Sequence, residues 1–294
     1  MTAETAKEPR AEATPAQKAA LEAEPIIEVA GLRTQFGAVV IHDGLDFSVR
    51  PGEIMGIVGG SGTGKSVLLR TIVGLIQPAA GQIRVLGQEV ARLPDKAARL
   101  LQGRWGVLFQ DGALFSSLTV AQNVEVPLQE HSRLSSTLRR EIVDVKISMA
   151  GLPPDAGAKY PAELSGGMRK RAGFARALAL DPKILFLDEL TAGLDPIGAA
   201  NFDQLILDLR SALNLTVVLV THDLDSLYAI CDRVSVLIDK RVKVGTIEAL
   251  MAEPDPWIQD YFKGPRGRAA QSATAAAASK RAEGAGQAGA EGKG

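Results

Sequence analysis

The chain has 294 residues, a hydrophobic fraction of 46% and a formal net charge of −1. That length buries a sizeable core as one large domain or two small ones, and the balanced charge excludes a global field aimed at nucleic acid or an acidic surface. The single cysteine, Cys231, excludes an intrachain disulfide and fits a reducing compartment; within YAICDRVSVL it has the character of a small core residue.

Residues 1–24 are rich in Ala, Glu, Lys and Pro and lack large apolar side chains, so they are expected to form no packed structure. The polar N-terminus carries no signal-peptide h-region, and no apolar run reaches the roughly 18–20 residues that cross a bilayer. The segment IIEVAGLRTQFGAVVIHDGLDFSVR then alternates and turns at glycines, as an antiparallel β edge does. Beyond it, short apolar runs alternate with longer helical patterns: IMGIVG (54–59), WGVLF (105–109), ILFL (184–187), TVVLV (216–220) and VSVLI (234–238). This is the pattern of an α/β fold, a mostly parallel sheet flanked by helices. Between Gln110 and about Asp181 the strand-like runs give way to SLTVAQNVEVPL, LRREIVDVKISMAGL and the segment after Pro161, so a helical subdomain at about 111–181 is expected to interrupt the sheet. One domain is expected over 25–263, since no repeat occurs at periods of about 20–50 residues. Residues 264–294, made of Gly, Ala, Ser, Lys and Arg with nothing bulky after Pro265, read as a flexible tail.

Several of the strand-like runs end in chemically pointed residues. The first leads into a glycine-rich loop, the second into Gln110, the third into Asp188 and Glu189, and the fourth into Thr221 and His222. Open α/β sheets bind ligands at the carboxyl ends of their strands, so these groups are expected to converge.

The loop is GGSGTGKS, Gly59, Gly60, Ser61, Gly62, Thr63, Gly64, Lys65 and Ser66, and it matches the phosphate-loop pattern of Gly, four residues, Gly, Lys, Ser/Thr. Its glycines let backbone N–H groups turn inward around a polyphosphate, and the next helix presents its positive end. Lys65 is expected to reach the β- and γ-phosphates of ATP, and the Ser66 hydroxyl to ligate Mg²⁺. Asp188 leaves its strand where a second Mg²⁺ ligand is wanted, and Glu189 is placed to polarise the attacking water.

LSGGM (164–168), upstream of the acidic strand, resembles the signature sequence of ABC ATPases. Phe36, Gln110, Asp188-Glu189, AGLD (192–195) and His222 fall around it in that family's order, and the resemblance covers essentially all of 25–263. It implies a P-loop core with an inserted helical subdomain. It implies that Phe36 stacks on adenine and that Gln110 senses Mg²⁺ and the attacking water. Ser165, Gly166 and Gly167 are then expected to meet the γ-phosphate held by a second protomer, Asp195 to lie across the dimer interface, and His222 to hydrogen-bond the γ-phosphate. Met168 stands where the signature often has Gln, and Leu190 where Pro usually comes after Asp-Glu. The run MRKR (168–171) reads as the solvated first turn of a helix.

FQDGALFSSLTVAQNVEVPLQEH (109–131), SGGMRKRAGFARALALDP (165–182) and YFKGPRGR (261–268) further resemble the ATPases of maintenance-of-lipid-asymmetry (Mla) systems of Gram-negative bacteria. That resemblance implies an ATP-hydrolysing subunit powering phospholipid transport between inner and outer membranes. Its expected partners are a second copy of itself, an integral membrane permease and an MCE-domain lipid carrier. It would sit peripherally at the cytoplasmic face of the inner membrane. A small regulatory subunit is compatible with this reading, and no nucleic-acid partner is expected. The alternatives are an ABC ATPase for another cargo, a non-transport ABC ATPase, and a nucleotide-binding scaffold without turnover; the intact Lys65, Asp188 and Glu189 argue against the last.

Near the C-terminus Trp257, Ile258, Tyr261 and Phe262 make one apolar stripe at helical spacing. Such a stripe packs on its own domain or docks on a neighbour. The Mla resemblance, whose members extend their C-termini to neighbouring subunits, favours docking.

Overall fold

The computed structural model describes residues 24–265 and 267–272. The N-terminal segment expected to be unpacked lies outside these apart from Glu24, and so does the tail beyond residue 272.

The alternating segment forms β1 (Ile27–Phe36) and β2 (Val39–Val49), paired antiparallel from Ile27↔Val49 to Phe36↔Val39. One face of the pair buries Ile27, Val29, Leu32, Leu45, Phe47 and Val49, as a period of two requires. Next comes β3 (Ile54–Gly59), buried from Ile54 through Val58, which runs into the glycine-rich turn and α1 (Lys65–Ile72). The chain then returns through β4 (Ala80–Val85) and the two-residue β5 (Gln88–Glu89) to complete a four-stranded antiparallel sheet in the order β2-β1-β4-β5. Neither of these two strands is legible in the sequence. AGQIRV buries only Ile83 and Val85, too short an alternation to stand out.

After α2 (Asp95–Gln102) the chain enters β6 (Trp105–Leu108). Its parallel neighbour, β7 (Ile184–Asp188), pairs with it from Trp105↔Ile184 to Leu108↔Leu187. Between them lie α3 (Val120–His131), α4 (Ser136–Met149) and α5 (Gly166–Ala177), and no strand among the described residues. Each helix has a hydroxyl N-cap, from Thr119, Ser135 and Ser165, which satisfies an otherwise orphaned backbone donor. Val124, Leu128, Val143, Ile147, Phe174 and Ala175 interlock in one cluster with Leu185 and Leu187 of β7. Each large apolar side chain buried there contributes about 1.5–3 kcal/mol.

The second half adds α6 (Pro196–Leu213), β8 (Thr216–Val220), α7 (Leu224–Ile230), β9 (Arg233–Ile238) and β10 (Arg241–Gly245). The main sheet runs β10-β9-β3-β8-β7-β6. Its strands β9, β3, β8, β7 and β6 are parallel, and β10 closes the edge as an antiparallel hairpin. β10, RVKVG, is equally hard to read from sequence, because its alternation is of half-buried and charged residues. The α/β class, the parallel core and the antiparallel edge follow the sequence pattern. The carboxyl ends of β3, β6, β7 and β8 therefore open on one side. Cys231 Sγ packs against Gly56 of β3, and burial pushes its thiol pKa up, so it stays protonated.

The C-terminal stripe packs in part on its own domain. It lies on α9 (Pro256–Lys263), which comes after the short α8 (Ile247–Met251). Ile258 and Phe262 are fully buried against Val58, Leu227, Val236 and Leu250 of the same chain. Trp257 and Tyr261 stack at 4.7 Å and stay half-buried. The side of the sheet under β9 is apolar and needs a cover, and α9 supplies it. Phe262→Ala is therefore expected to destabilise the isolated subunit by about 3–5 kcal/mol, read from urea unfolding. An unchanged midpoint would contradict this packing. Residues 265 and 267–272, inside the stretch expected to be a tail from residue 264, are helical instead, and Ala270 is buried. Arg268, Ala269, Ala270 and Gln271 are all good helix formers, which composition-based reading of tails overlooks.

Candidate active site

β3 delivers Gly59, and α1 starts at Lys65, so the turn between them is pinned at both ends. Gly64 has φ +99°, and a Cβ there would fall onto Ile41 Cγ2 and within 2.7 Å of His42 Nε2. Glycine is thus required twice over, for left-handed backbone and for close approach. His42, to which the sequence assigned no role, lies buried beneath the loop with Nδ1 2.7 Å from Thr34 Oγ1. Burial lowers its pKa to about 4, so at neutral pH it supports the loop as an uncharged packing residue.

Lys65 Nζ curls back over the loop and donates to Gly59 O at 2.9 Å and Gly60 O at 2.8 Å. Thr63 Oγ1 donates to Gly60 O at 2.9 Å. Burial pulls the Lys65 pKa down, while Glu189 and Asp188 hold it up. Ser66 Oγ donates to Asp188 Oδ1 at 3.4 Å, linking the first turn of α1 to the end of β7. Burial raises the Asp188 pKa, against the Ser66 hydrogen bond that lowers it. A hydroxyl and a carboxylate are hard oxygen donors that suit Mg²⁺. Among the described residues no group of three or more His, Cys, Asp or Glu gathers to hold a metal, so a bound Mg²⁺ would draw its remaining ligands from phosphates and water, as that ion commonly does.

Glu189 succeeds Asp188 with φ +53°, a left-handed conformation that costs a non-glycine residue about 1–3 kcal/mol. Its N–H donates to Val220 O at 2.8 Å. At the end of β8, Thr221 N donates to Ile57 O at 3.3 Å and delivers His222, whose Nδ1 lies 3.5 Å from Glu189 Oε1. The cleft so formed measures about 490 Å³, and Gly59, Ser61, Gly62, Gly64, Lys65, Ser66, Glu189 and His222 line it. Sequence reasoning missed Ile41 and Val67 in the same lining; both are apolar residues next to polar groups, which no motif marks.

The other anticipated residues lie elsewhere. Phe36 sits at the β1–β2 tip, 52% exposed, and does not line the cleft. Gln110 leaves β6 two residues beyond Leu108, on the same sheet edge as Asp188 and Glu189, with an exposed side chain. The turn after it is held by α5, where Arg176 donates to Ala113 O at 2.8 Å and Gly112 O at 3.0 Å. Ser165 caps α5 by accepting from Met168 N at 3.2 Å. Ser165 and Gly166 are exposed, Gly167 is half-exposed, and none of them lines the chain's own cleft. Asp195 is exposed too and caps α6 by accepting from Gly198 N at 2.9 Å. Met168 packs against the helical core, which accounts for an apolar residue there, and Leu190 is fully buried.

MRKR is not a solvated turn. Lys170 is buried and reaches the carbonyls after β7. Arg171 donates to Ala150 O at 2.8 Å and lies 4.9 Å over the Phe202 ring. Lys170, Phe174 and Ala177 occupy one helical face, so the spacing carried the signal that the charge obscured.

The family model described as ABC transporter matches residues 42–192. The chain is 39% identical over 241 residues to the probable ribonucleotide transport ATP-binding protein mkl of Mycobacterium bovis, covering 82% of this chain and 67% of that protein. It is 40% identical over 240 residues to the intermembrane phospholipid transport system ATP-binding protein MlaF of Haemophilus influenzae, covering 81% and 90%. It is 44% identical over 212 residues to the methionine import ATP-binding protein MetN of Caulobacter vibrioides, covering 72% and 63%. Among solved structures, the dimeric post-hydrolysis state of the ATP-binding cassette MJ0796 bound to ADP and Pi superposes with a TM-score of 0.70 at 29% identity, covering 75% of this chain and 98% of that one. The matched family span takes in the phosphate loop, LSGGM and Asp188-Glu189 together, and with that span the chain belongs to the ABC transporter family as an ATP-hydrolysing subunit.

Proposed function

We propose that this subunit powers phospholipid movement between membranes, as the ATPase of an Mla-type transporter, and that two copies enclose ATP between them. The observation that carries the paired arrangement is the outward-facing turn Ser165–Gly167, exposed at Ser165 and Gly166 and outside the lining of the chain's own cleft. A helix N-terminus with free donors attracts anions, and on this reading the anion is the γ-phosphate held by the other copy. Asp195, exposed at the start of α6, faces the same partner.

Within each cleft, Lys65 neutralises the β- and γ-phosphates and the loop N–H groups of 60–66 cradle them. Ile41 offers apolar surface to the base from the cleft wall, and Phe36 does so from the exposed β1–β2 tip outside it. Ser66 and Asp188, joined by Gln110, would hold Mg²⁺, which would supply neutralising charge beside the phosphates. Glu189 polarises the attacking water, and His222 donates to the γ-phosphate while its ring restrains the Glu189 carboxylate. Phe115, 52% exposed and five residues past Gln110, gives the permease an apolar contact beside the turn that α5 holds. No helix among the described residues is long and apolar enough to cross a membrane, so on this reading attachment to the inner membrane runs through the permease.

The phospholipid cargo is supported by identity to MlaF across 90% of that protein's length. The higher identity to MetN extends over 63% of its length and favours a second reading, the ATPase of a methionine importer. Purifying the complex from native membranes and identifying its proteins and lipids by mass spectrometry separates the two. A permease, an MCE-domain protein and phospholipid are expected. A permease with an amino-acid-binding partner and no MCE-domain protein would overturn the lipid assignment.

A further inference from the structure

We propose that Lys170 is a positioning residue for ATP cleavage, holding the turn Glu189–Ala192 in the conformation that aims the Glu189 carboxylate at its water. The inference rests on the reading of Glu189 as the group that polarises that water.

The turn needs holding. Glu189 is left-handed, and neither Leu190 nor Thr191 has a ring to fix its φ. One end of the turn is tied to the sheet by Glu189 N donating to Val220 O. Its interior is tied by Ala192 N donating to Glu189 O at 3.3 Å. Thr191 O accepts from Leu194 N at 3.1 Å, and the other three carbonyls of the turn, Glu189 O included, converge on a single ammonium: Lys170 Nζ donates to Glu189 O at 3.1 Å, to Leu190 O at 2.8 Å and to Ala192 O. Hydrogen bonds from a charged donor are shorter and roughly twice as strong as neutral ones, and Lys170 is buried, where competition from water is weakest. A charge is costly to bury. An apolar side chain would fill the same helical face more cheaply, so packing does not account for a lysine there.

Its consequence for chemistry is geometric. Lys170 holds the main-chain carbonyls of the turn, while the side-chain carboxylate of Glu189 is left 3.5 Å from His222 Nδ1. Relaxing Glu189 toward right-handed backbone rotates that carboxylate away, and a misplacement of about 1 Å in a reacting group costs about 10²-fold in rate. Lys170 also sits in the second turn of α5, about 7–8 Å along the axis from Ser165. The helix that presents Ser165–Gly167 to the other copy thus grips the catalytic turn of its own.

The test compares Lys170→Met and Lys170→Gln in the assembled transporter, each alone and combined with Glu189→Gln. Steady-state kcat and KM, single-turnover cleavage, and ATP affinity by titration calorimetry are measured. Lys170→Met is expected to lower kcat by about 10–10²-fold with ATP affinity within about twofold, and Lys170→Gln, which keeps two donors, to lose less. In the Glu189→Gln background, Lys170→Met is expected to change residual cleavage by less than about twofold, since a residue acting through Glu189 has nothing left to position. Wild-type kcat in Lys170→Met, or equal losses in both backgrounds, would overturn the proposal. Should Lys170→Met not fold, Lys170→Gln carries the same comparison. Unchanged kcat in Glu189→Gln alone would instead overturn the reading of Glu189, so the two failures are distinguishable.

Discussion

Lys65→Ala is expected to lower kcat/KM for ATP by about 10²–10³-fold, the loss typical of removing one well-placed electrostatic donor from a reacting oxyanion. The ammonium holds two loop carbonyls, Gly59 O and Gly60 O, at 2.9 and 2.8 Å. Alanine leaves these oxygens uncompensated in the place where polyphosphate is to sit, so repulsion is added to a lost attraction. Asp188 and Glu189, whose fields hold the Lys65 pKa up against burial, lose their counter-charge as well. Binding and turnover should therefore fall together. Calorimetry with ATP and steady-state hydrolysis by the assembled transporter check this, and near-normal activity would remove Lys65 from the phosphate site.

Glu189→Gln separates the two quantities. Glutamine has the size and shape of glutamate and accepts hydrogen bonds, so the turn held by Lys170 and the contact with His222 are kept. Basicity disappears, and in a positioned general base it is worth typically about 10²–10⁴-fold. ATP affinity is expected to stay within about twofold, while cleavage slows by about 10²-fold or more. With cleavage blocked, the pair of subunits should accumulate with ATP enclosed, visible as a dimer peak in size-exclusion chromatography with ATP and Mg²⁺. A variant that stays monomeric under those conditions, while the transporter keeps turning over, would contradict the paired mechanism.

Lys65 and Ser66 were legible because a phosphate loop is a local device: GGSGTGKS (59–66) contains both the backbone freedom and the charge that phosphate needs. Asp188, Glu189 and His222 were legible for a different reason. Each stands at or just past the end of an apolar run, and parallel strands deliver the residues at their carboxyl ends to one edge of a sheet. Gly64 shows where that reading stops. The pattern asks for glycine, but the reason it tolerates nothing larger is the close approach of Ile41 and His42 from another sheet.

By itself, then, the sequence determined the chemistry: a phosphate cradle leading into a helix, an acidic strand end, and the order that marks an ABC cassette. Tertiary structure decided which polar groups share a cleft and which face outward. Ser165 and Asp195 read as site residues, yet both cap helices at the surface, away from the chain's own phosphate loop. Tertiary structure also decided burial. Phe262 could have covered a neighbour or its own sheet, and only the apolar side of β9 beneath it settles the choice. Lys170 read as solvated because a charge on a helix normally seeks water. Its acceptors come from residues 19 to 22 positions away, and no window of sequence contains the contact that makes burying it worthwhile.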